Sequence, residues 1–425
     1  MNAALEPTSA GLTALRESAA TLFAALPWPK TEDEAWRRTD LGFLDPDRFD
    51  PAAPAGMSDF NHADVLDFDR PEERLGEMIC SGNGMLRRWS KELEARGVHF
   101  CDLATAMAHY PDKVFPYLGR VVPPESGKFA AWNTAHLTSG IFLYVPRGVV
   151  LSQPILGGFG FGSSTGRAFF PRTLVVLEEG AQATYIEDHT ARAAEGENLS
   201  NGVVEFVVGA GAKLNYVHLQ RWPKNWWHFS KQNAWVRRDG ELNTMVIATG
   251  AGTSRADFGS DLLETGAAGR LYGLVFGDEE QRFTHHTHQD HRAPHTTSDL
   301  LFKAALRDNA RSVYTGMIKI AKEAQKTNAY QASKNILLSK GARANAIPML
   351  EILADDVKCG HGAAVGSLDD DQRFYLMSRG LPREEAERAI VEGFFEDVLQ
   401  RIPVPGMSDR LRAILDAKLE VPRHA

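Results

Sequence analysis

Between residues 1 and 40, apolar positions recur at helical spacing. Leu5, Leu12, Leu15, Leu22, Phe23 and Leu26 form one stripe before Pro27 and Pro29 stop it. A second short amphipathic piece covers Glu32–Arg38, and Trp28 and Trp36 read as packing anchors. Pro46 to Met57 is rich in Pro, Ala and Asp and reads as a loop. Further helix is expected around Leu75, Met78 and Ile79, from Met85 to Leu93, and over Leu103–Tyr110. Val121-Val-Pro-Pro-Glu-Ser-Gly127 breaks the pattern and marks a domain boundary, so residues 1–127 form an N-terminal helical region.

From Lys128 the pattern changes to short β-rich runs. They begin with Phe129–Trp132 and Gly140–Val145 and continue through Thr173–Leu177 and Leu214–Gln220 to Ser312–Ile320 and Lys326–Tyr330. Similar turns separate them: Glu179-Gly-Ala-Gln-Ala-Thr184, Ala210-Gly-Ala-Lys-Leu-Asn215 and Asp239-Gly-Glu-Leu-Asn-Thr244. Gly180, Gly211, Gly240 and Gly269 follow one another at steps of 31, 29 and 29 residues. A fixed period of this size marks a solenoid, in which each coil buries its face on its neighbours. The fold class is therefore mainly β, a β-helix core over 128–366 flanked by α-helical segments. Gly157-Gly-Phe-Gly-Phe-Gly-Ser-Ser-Thr-Gly166 lacks the Gly-Lys-Ser/Thr ending of a phosphate loop and reads as a mobile hairpin between coils. Asp369–Phe395 is helical, with Pro382 at a helix start and Glu384 and Glu385 in its first turn. Pro403 and Pro405 end that segment, and Leu411–Leu419 forms a last helix of the C-terminal region 367–425.

Composition narrows the function classes. Of 425 residues, 43% are hydrophobic and 24% charged, as in an ordinary globular protein. A net charge of −8 argues against a general nucleic-acid binder, which needs a basic surface for phosphates. No apolar run approaches the roughly 20 residues of a membrane span. Cys80, Cys101 and Cys359 are a sparse, odd set that fits a reducing cytoplasm without disulfides.

Two stretches carry candidate chemistry. Leu350–Gly366 starts as an alternating strand and contains Cys359 and His361, which at spacing i, i+2 face the same way. Thiolate and imidazole suit iron, zinc or copper, but two ligands do not complete a site. On these residues alone, a buried thiol beside a structural donor is the first reading. Thr284-His-His-Thr-His-Gln-Asp-His-Arg-Ala-Pro-His295 is the second. His286 and His288 share one strand face, and His285 and Thr287 the other. A cupin-like or β-helix metalloenzyme using His285–His295 with Asp290 or Glu280 is one reading. Polar ladders along successive coils are the other.

The run Ser333–Ser339, then Pro348-Met-Leu-Glu-Ile352, Asp355-Asp-Val-Lys-Cys-Gly-His-Gly362, Val365-Gly366 and Phe374-Tyr-Leu-Met-Ser-Arg-Gly380 resembles the SufB/SufD family of iron–sulfur cluster assembly scaffolds. Within it the Cys-x-His element matches the SufD branch. The resemblance runs from about Phe129 to Phe395, and Glu34, Ala35, Trp36, Arg37, Arg38, Thr39, Asp40 and Leu41 look like the family's N-terminal element. It implies a right-handed parallel β-helix that is not an enzyme and works in a cytoplasmic complex. SufB would pair through the β-helix, and the SufC ATPase, alone carrying ATP, through C-terminal residues such as Phe374, Tyr375, Arg379, Gly380, Phe394 and Phe395. His361, with Cys359 as a second candidate, would hold a transient iron–sulfur cluster at the SufB seam. Asp355 and Asp356 would steady the imidazole or cap the turn. No stably bound cofactor is expected, and a homodimer is expected when SufB is absent. The polar ladder then becomes the favoured reading of His285–His295.

Overall fold

The computed structural model describes residues 9–39, 41–42, 44–51, 65, 74–81, 84–89, 91–137, 139–193, 195–401, 404 and 406–419. Leu5, Asp40, residues 52–57 of the expected loop, and Pro403 and Pro405 lie outside them.

Eight coils form the core, each built of two strands that lie in different sheets. They are Ser139–Val145 with Ile155–Phe161, Pro171–Leu177 with Gln182–Ala191, Asn198–Val208 with Lys213–Arg221, and Trp226–Val236 with Glu241–Ala248. Thr253–Leu262 with Ala268–Gly277, Arg282–His291 with Thr297–Leu306, Arg311–Ile320 with Asn328–Leu337, and Arg343–Ile352 with Lys358–Ser367 complete the series. Neighbouring coils pair in parallel. Gln182, Lys213, Glu241, Ala268, Thr297, Asn328 and Lys358 hold one register position at steps of 27 to 31 residues. The chain thus forms the expected β-solenoid. Its corners need a left-handed residue, supplied by Gly180 (φ 69°) and Gly211 (φ 61°) and in the next coil by Asp239 (φ 54°). Gly269 is no corner: it lies inside the strand Ala268–Gly277, and the turn before it uses Gly266 (φ 77°).

Three local expectations are corrected. The stretches around Met78 and Met85 are strands, Gly76–Ser81 and Gly84–Trp89, paired with each other, and the first joins Ile155–Phe161. Gly76–Ser81 is buried throughout, Glu77 included, so its apolar residues Met78, Ile79 and Cys80 do not alternate with polar ones. Phe129–Trp132 belongs to a helix, Lys128–Ala135, because its rings serve a cluster outside the sheets. Gly157–Phe161 is a buried strand, not a hairpin, and a Cβ at Gly157 would overlap the Tyr185 hydroxyl.

The strand period of two sorts side chains between lumen and outer face. Leu143, Val145, Val175, Phe206 and Val236 fill the lumen. Phe142, Tyr144, Leu174 and Val176, one residue out of phase, meet Leu15, Leu103, Val114 and Phe115 of the N-terminal region. Ile186, Val217, Leu219 and Leu274, on the outside of the other sheet, meet Val391, Phe395, Leu411 and Leu415 of the C-terminal helices. Trp28 and Trp36 anchor as expected: Trp28 meets Trp132 edge-on at 5.6 Å and Trp36 stacks on Phe129 at 5.4 Å. The Arg255 guanidinium lies 3.7 Å over Trp36 and donates to the Ala35 carbonyl and Thr39 hydroxyl, docking the N-terminal motif on the solenoid.

Buried charge ties the segment before the first coil to the sheet. Fully buried Arg172 donates to Glu205 (2.8 Å), Asn133 (3.1 Å) and Thr134 (2.9 Å), while Glu205 also accepts the Gly119 and Val122 amides. Among the described residues no helix is long and apolar enough to cross a membrane.

Candidate functional site

The solenoid ends on two strands with one neighbour each, Arg343–Ile352 and Lys358–Ser367. The two open edges differ. Arg343 and Leu353 donate back to Ala310 and Ile320, so by alternation residues 344, 346, 348, 350 and 352 point their amides outward. Pro348 has no amide to offer there, which interrupts that edge. On the other strand Lys358 and Leu368 donate back to Thr327 and Leu337. The amides of Cys359, His361, Ala363 and Val365 therefore face away from the protein in an unbroken row. Such a row is a template for another strand.

Cys359 and His361 share the lumen-facing side of this end strand, as their spacing predicts. His361 is exposed because no further coil covers it; its register partner one coil back, Gln331, is fully buried. Cys359 is half-buried and packs on the cluster of Ile318, Ile320 and Ala329. Burial pushes its thiol up from the ordinary range, partly offset by a backbone hydrogen bond from Gly360, so binding metal there must displace a proton. Asp355 and Asp356 are exposed at the corner before the strand. Asp356 pairs with Lys326 and its amide donates to Gln325 at 2.8 Å, so it secures the corner and not the imidazole. On the outer face Tyr330 lies across Gly360 and Gly362, the latter's Cβ position being 3.1 Å from its hydroxyl.

Just beyond, Asp369 caps the helix Asp370–Ser378 by accepting from the Asp371 and Gln372 amides. That helix leaves Phe374 72% and Tyr375 56% exposed, with the Arg379 guanidinium 5.2 Å from the Tyr375 ring. Arg379 and Gly380 are exposed too. Phe394, on the helix Arg383–Leu399, is half-buried beneath the Lys303 ammonium. Phe395 is a correction: at 0% exposure it is core, wedged between its helix and the solenoid, and has no surface for a partner. Sequence reading missed Tyr330, Ile352, Leu353, Val365 and Met377. With Phe374 and Tyr375 they make up seven of the nine exposed large hydrophobic side chains among the described residues. Their concentration at one end makes that end the candidate contact surface. The available signal was their position on the last coils of the repeat.

The His285–His295 stretch does not converge on a metal. His285 is buried among Phe258, Phe283 and Phe302, and His291 is held by Thr296 (2.8 Å) and Ser298 (2.9 Å). Thr296 continues the row to Thr327 at 3.0 Å, a ladder across coils. Asp290 pairs with Arg292, and Glu280 accepts from Asn309. Among the described residues the one group of three or more candidate ligands lies elsewhere, at Glu187, His189 and His218.

Comparison with known proteins covers both regions. Residues 161–394 match the SUF system FeS cluster assembly, SufBD core domain, and residues 2–156 match the SufBD protein N-terminal region. The chain is 30% identical over 333 residues to the iron–sulfur cluster assembly protein SufD of Bacillus subtilis, covering 78% of this chain and 76% of that protein. It is also 30% identical over 314 residues to an iron–sulfur cluster assembly SufBD family protein of Staphylococcus epidermidis, covering 74% of this chain and 67% of the relative.

Proposed function

The chain belongs to the SufBD family of iron–sulfur cluster assembly proteins, and from that premise we propose that it is a non-catalytic scaffold subunit of a cytoplasmic SUF complex, its right-handed coil pairing with SufB. One observation carries this reading: exposed His361 stands on an end strand whose outward amides form an unbroken row. A SufB strand added to that row would extend the sheet across the subunit boundary, with main-chain hydrogen bonds supplying affinity. It would also bring SufB side chains beside His361, so that a nascent cluster, as cargo, is held by this imidazole and a SufB cysteine. Cys359 contributes only after losing its proton, which makes it the secondary ligand.

The exposed face of Asp370–Ser378, with Phe374 and Tyr375 at its centre, suits a hydrophobic partner, and SufC is the one the family implies. A stiff solenoid joining the two surfaces would carry SufC movements to the seam. The test is co-expression with SufB and SufC followed by reconstitution with iron and sulfide. His361→Ala should keep the complex intact and lower the iron bound per complex. Unchanged iron would reject the ligand role, and failure of the three chains to co-purify would reject the scaffold reading.

A further inference from the structure

Glu187 and His189 point into the lumen from the second coil, and His218 points in from the third at the register position directly beside Glu187. All three are buried, at 0%, 2% and 3% exposure. One ligand atom of each lies within 4.8 Å of the others, and the two imidazole rings are 4.7 Å apart and steeply inclined. The surroundings hold the carboxylate in place. Glu187 accepts from the hydroxyls of Thr173 (2.5 Å) and Tyr185 (2.9 Å) and faces His189 Nε2 at 2.8 Å.

That contact puts a proton on His189 Nε2, because a carboxylate only accepts, and an ion shared by Glu187 and His189 must displace it. His189 Nδ1 is buried without a partner. His218 Nε2 is likewise buried without a partner. A buried polar atom left unsatisfied costs about 1–3 kcal/mol, so an ion ligated by His218 Nε2 beside Glu187 and His189 relieves such a cost. Nearby His228 is not a third imidazole ligand. Trp222 donates to its Nδ1 at 3.2 Å, which puts the proton on the inward Nε2 and leaves that atom a donor.

We propose that the lumen holds a divalent transition-metal ion on Glu187, His189 and His218, cross-linking the second and third coils. Two imidazoles and a carboxylate are the donor set of zinc or ferrous iron, with water completing the coordination and His228 Nε2–H donating to that water. The site lies apart from half-buried Cys359 and exposed His361 and departs from the sequence expectation of no stably bound group. It stands whether or not a cluster is ever held at the end strand.

The probe is cobalt(II), supplied during expression of the full chain so that the ion is present as the lumen closes. After exhaustive dialysis, elemental analysis should find about one cobalt per chain, with nitrogen/oxygen ligand-field absorption. The Cys359→Ala, His361→Ala double variant should retain it, while Glu187→Gln and His218→Gln should lower occupancy at least about tenfold. Should those variants fail to fold, anomalous diffraction at the cobalt edge on the unaltered chain decides by placing the ion. Density between Glu187 and His218 supports the site; density only at Cys359 and His361, or no retained cobalt, overturns it.

Discussion

Phe374 and Phe395 lie on successive helices after the last coil, and their surroundings give them opposite work. Phe395 is enclosed by Val391, Leu411 and the solenoid's outer face, so truncation leaves a cavity. Phe395→Ala should cost about 3–5 kcal/mol and lower the urea midpoint. Phe374 has almost nothing to lose on truncation, and Phe374→Ala should stay within about 0.5 kcal/mol of the parent. The same substitution should reduce SufC recovered in co-purification. Equal destabilisation by the two variants, or full SufC recovery with Phe374→Ala, would contradict the assignment of these faces. Helical spacing in the sequence found both residues but could not say which stripe faces inward. That depends on the solenoid surface beneath, which the local pattern does not contain.

At the level of single elements, the end strand Lys358–Ser367 carries the most specific prediction. Ala363 has its amide on the open edge and its side chain exposed. Ala363→Pro therefore removes an outward donor without breaking the bonds to the previous coil. The variant should fold with a urea midpoint close to the parent and lose SufB from the purified complex. Ala364→Pro is the contrast, since its amide faces inward and its loss should destabilise the last coil. Retained SufB in the first variant would show that pairing does not use this edge.

The repeat made the coils legible because each must bury its face on the next. The strand Gly76–Ser81 was hidden by burial on both faces, which leaves no alternation to read. The strand after Ile155 was hidden by its glycines, which read as a flexible turn although Gly157 makes room for Tyr185. That Cys359 and His361 share a face was legible because strand alternation puts i and i+2 together. Glu187 and His218 were not, although they hold matching positions in adjacent coils. Lining the coils up by register instead of by turn glycines was the signal that would have paired them.

For the molecule as a whole, threading polar rows through an apolar lumen makes stability depend on pH. Burial first, then the charge of His286, pulls His285 down to about 4; burial pulls His291 to about 4, against the opposing charge of Asp290. Both imidazoles then stay neutral in the folded chain well below the ordinary value near 6.5, where the unfolded chain already takes up protons. The unfolded state binds more protons between these limits, so stability falls as pH drops through that window. Above it both states are neutral and these residues contribute no slope. Each can cost up to about 3 kcal/mol once the window is crossed. Urea midpoints should therefore be level above about pH 7 and fall steadily from about 6.5 to 5, above the range in which most carboxylates titrate. His291→Gln should start less stable, having lost its fitted bonds to Thr296 and Ser298, and show a shallower decline by about one proton. A midpoint that holds or rises on acidification, or a slope that His291→Gln leaves unchanged, would mean that these histidines charge without unfolding the coils.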